Sequence, residues 1–274
     1  MKKILVLLTA LMFIFTLVGC SSTETKKDEP KEQTTAQETK ENKESVELNI
    51  SAAASLKDAL EEINVNYEKE TGNKVILNLA GSGKLVQQIL EGAPADLFIS
   101  ASNAKMKDLV EKGNVEESAV STLLENDLVM IVPKDSQEKV EKIEDLENVN
   151  GKIAIGEVET VPAGQYAKDS LTSLGLWDKI QDKIVYAKDV RAVLSYVEQG
   201  EVVAGFVYNS DATVAENSQI AQVVPADSHK PIVYPIAVLK DSPNAEAAKS
   251  YEDFLKTEES TKIFEKFGFK VPTK

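Results

Sequence analysis

Short apolar runs alternate with stretches of helical periodicity from residue 46 to the end of the chain. The apolar runs predict β-strands, and apolar residues that recur every three or four positions, such as Leu60, Ile63 and Tyr67, predict α-helices. The predicted strands are 46–53, 74–80, 97–101, 128–133, 153–156, 184–187, 203–208, 219–225 and 232–239. The predicted helices are 56–70, 84–91, 104–112, 165–174, 191–199, 245–256 and 260–267.

This alternation predicts an α/β fold with largely parallel sheets and a ligand site at the carboxyl ends of the strands. Two long apolar segments, 126–133 and 232–239, are not followed directly by a helix. One interpretation is that they are crossing strands that join two lobes and allow hinge closure around a ligand. The other is that they are ordinary antiparallel strands within a single sheet.

The first 45 residues have the pattern of an export signal and a linker. A basic start is followed by the apolar run 4–18 and by Gly19-Cys20, which predicts a signal peptide over 1–19, too short to cross a bilayer comfortably. Residues 17–20 resemble the bacterial lipobox, so Cys20 is the predicted lipidation site; a plain signal peptide or a short membrane anchor are the alternatives. Residues 20–45 are polar and predict a disordered tether to the membrane.

Charge and cysteine content exclude several classes of function. The net charge of −14 argues against nucleic acid or anionic lipid headgroups as partners. Cys20 is the only cysteine, so an intramolecular disulfide and a thiolate metal cluster are both excluded. The part of the chain from residue 46 onward is long enough for one large or two small domains.

At four junctions a short apolar run stops just where a helical pattern begins. These junctions are residues 52–55, 80–83, 161–164 and 189–191. Each junction leaves unpaired N–H groups at a helix N-terminus, where the helix dipole also favours negative charge. The donors there are the hydroxyls of two serines and backbone N–H groups, and a tyrosine at a strand end adds a phenol. Each feature alone is an ordinary cap or turn, but together they predict an anion pocket built from neutral donors: Ser55, Ser82, Ala163, Gly164, Val190 and Tyr208.

Other chemistries find less support in the chain. A nucleotide P-loop around Gly81 would need glycine at 78 and Ser or Thr at 85, but the chain has Asn78 and Leu85. A nucleophilic Ser82 lacks the Gly-x-Ser-x-Gly motif and has no convincing base. A metal-cation site is disfavoured because the chain has one His and one Cys.

Two aspartates near these junctions are interpreted as helix caps. Asp189 is the predicted N-cap of the helix that starts at Val190, and Asp211 is the predicted cap of a helix over 212–216.

Four segments then resemble one family in order along the chain: 52–56, 92–101, 161–168 and 205–212, with 189–192 and 264–269 in agreement. They resemble the molybdate-binding proteins of ABC importers. The resemblance implies a two-lobed periplasmic-binding-protein fold of type II, in which each lobe is a mostly parallel sheet flanked by helices and two crossing strands form the hinge. It implies one lobe from 47–127 and 231–274 and a second from 128–230.

The same resemblance implies the ligand and its contacts. Molybdate or tungstate would be held by the hydroxyl and N–H of Ser55 and Ser82, the N–H groups of Ala163 and Val190, and the Tyr208 hydroxyl. No cofactor and no catalysis are implied, and metal enters only as the centre of the oxyanion. The implied partners are the permease subunits of an ABC importer and, through the lipid anchor, the cell membrane, with the protein extracytoplasmic and monomeric.

In one place the chain departs from this family. Gly81 and Gly83 stand where relatives often have serines, which removes further hydroxyl donors and predicts a more mobile loop.

The donor set agrees with a fully deprotonated tetrahedral dianion, which only accepts hydrogen bonds. Phosphate carries a proton near neutral pH and would need an acceptor in the pocket. Sulfate is also acceptor-only, so a sulfate- or other oxyanion-binding lipoprotein stays an alternative. A secreted serine-dependent hydrolase is the alternative from a different class.

Overall fold

The computed structural model describes residues 45–272. The predicted signal peptide, Cys20 and all of the predicted tether except Ser45 lie outside the described residues. The strands are β1 (Glu47–Ala53), β2 (Lys74–Ala80), β3 (Leu97–Ile99), β4 (Ser121–Asn126), β5 (Leu128–Pro133), β6 (Ile153–Gly156), β7 (Ile184–Ala187), β8 (Ala204–Tyr208), β9 (Ser218–Val223) and β10 (Ile232–Val238). The helices are α1 (Lys57–Thr71), α2 (Ser82–Leu90), α3 (Asn103–Glu111), α4 (Pro162–Ser173), α5 (Trp177–Ile180), α6 (Val190–Glu198), α7 (Asn209–Thr213), α8 (Ala245–Leu255) and α9 (Glu258–Lys266).

The strands form two five-stranded sheets of matching design. The first has the order β2-β1-β3-β10-β4 and the second β7-β6-β8-β5-β9. In the first sheet only β10 runs against the other four strands, and in the second only β5 does. The expectation of two mostly parallel sheets is therefore confirmed, with one antiparallel strand fourth in the order of each sheet.

The chain passes between the sheets within the first of the two long apolar segments and directly before the second, which itself forms the antiparallel strand β10 inside the first sheet. Asp127 alone separates β4 of the first sheet from β5 of the second, so the segment 126–133 is divided between the sheets. The return path is the connection 224–231, which leads from β9 to β10. The lobe boundaries expected from the sequence remain a proposal.

Helices cover the sheets and bury their apolar faces. In α1, Leu60, Ile63 and Tyr67 are fully buried, and the helix ends at Gly72, whose left-handed backbone (φ 75°) suits glycine. Helix α8 contacts β10 and α9 contacts α1 on the first sheet, whereas α4 and α6 pack on β6 and β8 of the second. Among residues 45–272, no helix is long and apolar enough to cross a membrane.

Candidate functional site

The five ligand residues implied by the family resemblance line one small pocket. Gly164, the sixth donor predicted from the junctions, does not line it, and its N–H donates to the Val161 carbonyl at 2.9 Å. The lining of the pocket is Ala53, Ala54, Ser55, Ala80, Gly81, Ser82, Ala101, Val161, Pro162, Ala163, Val190 and Tyr208. The pocket is tight, with a cavity volume of about 10 Å³, which is space for roughly one water molecule. The first sheet and its helices supply Ser55 and Ser82, and the second supplies the other three ligand residues.

Helix starts supply the backbone donors, as expected from the junctions. Helix α2 begins at Ser82, and α6 begins at Val190. Helix α4 begins at Pro162, which suits the first helical position because it has no N–H to satisfy, and Ala163 follows as the second residue. N–H groups in the first turn have no partner within their own helix. The predicted N-cap is also confirmed, because Asp189 accepts a hydrogen bond from the Ala192 N–H at 2.8 Å.

Both serine hydroxyls have a hydrogen-bond partner on the protein side. Ser82 Oγ accepts from the N–H of Ala101 at 3.0 Å, and Ser55 Oγ lies 2.9 Å from the hydroxyl of Tyr234. Within the described residues, Ser82 Oγ accepts from Ala101 and has no protein acceptor for its own proton. That proton is therefore available to a ligand in the pocket.

Tyr208 provides a phenol without a protein partner. It ends β8, is 1% exposed, and its hydroxyl oxygen has no hydrogen-bond partner within the described residues. Burial, followed by the nearby phenol of Tyr234, raises the pKa of Tyr208 well above its usual value, so the hydroxyl keeps its proton. A buried donor of this kind is costly unless a bound acceptor satisfies it.

The glycines on either side of Ser82 allow close contact between the two walls of the pocket. The N–H of Gly83 donates to the carbonyl of Thr160 at 2.8 Å. A Cβ atom at Gly83 would stand 2.7 Å from the Cα of Thr160, and one at Gly81 would stand 3.0 Å from its carbonyl oxygen. The structure therefore gives these glycines a packing role, which the sequence interpretation as loop mobility did not include.

Behind the pocket, Arg191 connects the Ser55 turn to the helix after Tyr208. Its guanidinium donates to Asp58 Oδ2 at 2.5 Å and to the Ser55 carbonyl at 3.3 Å. Its Nε lies 2.7 Å from Asp211 Oδ1, and Asp211 is fully buried. Two carboxylates thus neutralise this arginine, which is not among the lining residues of the pocket.

Asp211 caps a helix start, as predicted, but it does so from the third position of the helix, and the helix is not the predicted 212–216. The helix α7 spans Asn209–Thr213, so Asp211 lies inside it, and its carboxylate accepts a hydrogen bond from the Tyr208 N–H at 3.1 Å. The local pattern of a short polar residue before 212–216 could not reveal the ion pair with Arg191, which is distant in sequence.

Burial raises the pKa of Asp211 to about 6, although Arg191 and the Tyr208 N–H act to lower it. In this case the native state binds a proton at a pH where the unfolded chain does not. The contribution of Asp211 to the free energy of unfolding is therefore greatest at low pH, and it falls as the pH rises from about 4 to about 6. Above that window both states are ionised and its contribution is constant.

Comparison with Asp211→Asn measures this effect. The free energy of unfolding of the wild type minus that of the variant should fall by on the order of 2 kcal/mol between pH 4 and pH 6.5, and then level off. Urea unfolding of both proteins without ligand, at intervals of half a pH unit, gives this difference. A difference that does not change with pH would contradict the raised pKa.

The pocket contains no titratable acid, base or cation on its wall except the Tyr208 phenol. Within residues 45–272, no group of three or more His, Cys, Asp or Glu side chains could hold a metal ion. What the arrangement can do is donate several hydrogen bonds to one small acceptor-only ligand. A larger cavity of about 960 Å³ lies between α3 and α4 and shares Pro162 with the pocket.

Comparison with known proteins agrees with this architecture. Molybdate-binding proteins ModA of Haemophilus influenzae and Escherichia coli are each 40% identical to this chain over 82% of it, and the alignments cover 90% and 89% of those proteins. A Bacillus subtilis protein, YvgL, provisionally named as an ABC transporter substrate-binding lipoprotein, is 45% identical over 98% of both chains.

Among solved structures, the periplasmic molybdate-binding protein of Azotobacter vinelandii is similar with a TM-score of 0.72 and 26% identity. The match covers 82% of this chain and all of that one. A family model of bacterial extracellular solute-binding proteins matches residues 48–270. The chain therefore belongs to the family of bacterial extracellular solute-binding proteins.

Proposed function

We propose that this protein captures molybdate or tungstate outside the cytoplasm and delivers it to the permease of an ABC importer. The observation that carries the proposal is the single pocket in which Ser55, Ser82, Ala163, Val190 and Tyr208 converge. Relatives at 40% identity that are named molybdate-binding proteins support the choice of ligand.

The chemistry of the pocket favours a fully deprotonated oxyanion. Three hydroxyls and the N–H groups at helix starts are donors, and the lining contains no carboxylate that could accept a proton from the ligand. Hydrogen bonds to a desolvated dianion are strong, at about 1.5–3 kcal/mol each. Several of them support tight binding without a lysine or arginine in the pocket.

The hydrolase alternative loses support in this geometry. Ser82 would need a general base within hydrogen-bond distance, but its Oγ instead accepts from the N–H of Ala101. His229, the only histidine, is not among the lining residues. We therefore propose a binding protein that catalyses no reaction and needs no cofactor.

Isothermal titration calorimetry with four anions tests the ligand assignment. We expect tight binding of molybdate and tungstate, and weaker binding of sulfate because its smaller tetrahedron leaves the donors too far apart. Phosphate should bind weakest, since its buried proton would lack an acceptor, at a cost of about 1–3 kcal/mol. Sulfate binding as tight as molybdate binding, or no binding of any anion, would refute the proposal.

Two further parts of the proposal concern location and assembly. We propose that the protein is a monomer held at the cell membrane by lipid on Cys20, with residues 20–45 as a tether. The lipobox-like residues 17–20 support this anchor. Metabolic labelling with a palmitate analogue tests it: the wild type should be labelled and Cys20→Ala should not.

A further inference from the structure

We propose that Tyr234 and Asn126 are positioning residues that fix the Ser55 hydroxyl as a hydrogen-bond donor toward the oxyanion. Neither residue lines the pocket, and neither was a site candidate from the sequence. The inference rests on the proposed function and adds two residues that act through Ser55.

The orientation of the Asn126 amide is determined by its own backbone neighbour. Its Oδ1 accepts a hydrogen bond from the Asp127 N–H at 2.9 Å. Its Nδ2 therefore faces the opposite way, where it donates to Ser210 Oγ at 2.9 Å and to the Tyr234 hydroxyl oxygen at 3.3 Å. The amide thus approaches Tyr234 as a donor.

This contact decides the direction of the next hydrogen bond. The Tyr234 oxygen accepts from Asn126, and the only other polar partner of this fully buried hydroxyl within the described residues is Ser55 Oγ at 2.9 Å. If Ser55 donated to Tyr234, the phenol proton would be buried without an acceptor, which is costly. The arrangement with every group satisfied has Tyr234 donating to Ser55.

The Ser55 proton is then the free one. Ser55 Oγ already accepts from Tyr234, and Ser55 lines the pocket, so its proton is available to a ligand oxygen. Burial also raises the pKa of Tyr234 far above its usual value, so the phenol remains a donor across the physiological range. Without the hydrogen bonds from Asn126 to Tyr234 and from Tyr234 to Ser55, the Ser55 hydroxyl could donate to other acceptors.

The hydrogen bonds that link Asn126, Tyr234 and Ser55 involve residues at both places where the polypeptide passes between the sheets. Asn126 is the last residue of β4, directly before the crossing at Asp127, and Tyr234 lies on β10 after the return connection. Ser210, the second acceptor of the Asn126 amide, lies in α7 directly after the strand that carries Tyr208. The orientation of one ligand donor therefore depends on residues at the crossings and on the opposite wall.

Tyr234→Phe removes the hydroxyl and keeps the ring, which packs edge-on against Phe269 at a centroid distance of 5.4 Å. We expect its molybdate affinity to fall about tenfold, as for the loss of one oriented donor. Asn126→Ala should also lower the affinity several-fold, because water in the vacated space can accept the Tyr234 proton and Ser55 can then donate to Tyr234 instead. Both affinities are measured by titration calorimetry.

Tyr251→Phe is the matched control, because Tyr251 is also a fully buried tyrosine whose hydroxyl donates to an internal amide, Asn64 Oδ1, at 2.6 Å. Both Tyr→Phe variants should lose similar stability in urea, but Tyr251→Phe should bind molybdate as the wild type does. A merely structural role for Tyr234 would lower both stabilities and leave both affinities unchanged.

A double-mutant cycle with Ser55→Ala tests whether Tyr234 acts through Ser55. In the Ser55→Ala background, adding Tyr234→Phe should change the affinity less than about twofold. Wild-type affinity in Tyr234→Phe, or effects of the two substitutions that add in full, would overturn the inference. A wild type that binds no oxyanion would instead refute the proposed function.

Discussion

Ser82→Ala should weaken molybdate binding by about 10- to 150-fold, the equivalent of one charge-assisted hydrogen bond of about 1.5–3 kcal/mol. Ser82 Oγ accepts a hydrogen bond from the Ala101 N–H, and the Ser82 proton remains available to donate to a ligand in the pocket. The variant also leaves the buried Ala101 N–H without its acceptor, which adds to the loss. Titration calorimetry or competition with tungstate measures the effect.

Ser170→Ala is a suitable control for this experiment. Ser170 is a fully buried serine in α4, the helix that begins beside Ala163, but its hydroxyl has no partner within the described residues and it does not line the pocket. Its removal should leave the affinity within about twofold of the wild type. Equal affinities in Ser82→Ala and Ser170→Ala would show that Ser82 is not a ligand contact.

Arg191→Met should lower the free energy of unfolding of the ligand-free protein by about 3–5 kcal/mol at pH 7.5. The variant leaves the fully buried Asp211 without its cation and removes the contacts with Asp58 and the Ser55 carbonyl. The pKa of Asp211, already about 6, should rise further, so the loss should be smaller at pH 5 than at pH 7.5. Urea unfolding at both pH values measures it.

Two comparisons test whether the unpaired buried charge of Asp211 causes the loss of stability in Arg191→Met. Arg191→Met combined with Asp211→Asn should recover part of the loss, because no unpaired charge is then buried. Lys262→Met, which removes an exposed ion pair with Glu258 on α9, should cost less than about 1 kcal/mol. A cost for Arg191→Met as small as that of Lys262→Met would contradict the role assigned to Arg191.

Much of the fold was predictable because each strand and helix carries its own apolar pattern. The nine predicted strands and seven predicted helices are present, with ends that differ by up to three residues. Strand β4 was missed because only Leu123, Leu124 and Asn126 are buried within it, so it lacks an apolar run. Its separation from β5 at Asp127 depends on which sheet each strand joins, and pairing of distant strands leaves no local signal.

For the candidate site, residues at helix starts were predictable and residues that act through contacts were not. Junction patterns and family motifs both indicated Ser55, Ser82 and Tyr208, and the structure brings them together. Asn126 and Tyr234 are polar residues in ordinary strands, and only the tertiary structure places them beside Ser55. Arg191 was visible only as part of a motif, because its carboxylate partners come from α1 and α7.

The two crossings between the sheets run side by side, and this restricts how the sheets can move. Asn126 pairs with Ile232 where the crossings meet the first sheet, and Val224 donates to the Leu128 carbonyl at 2.9 Å where they meet the second. Bodies joined by two adjacent links, one of them the single residue Asp127, have little freedom to slide, and rotation about the links is their easiest motion. We therefore expect one angle to set every donor-to-ligand distance at once, so that a single spectroscopic distance across the pocket reports the whole binding geometry.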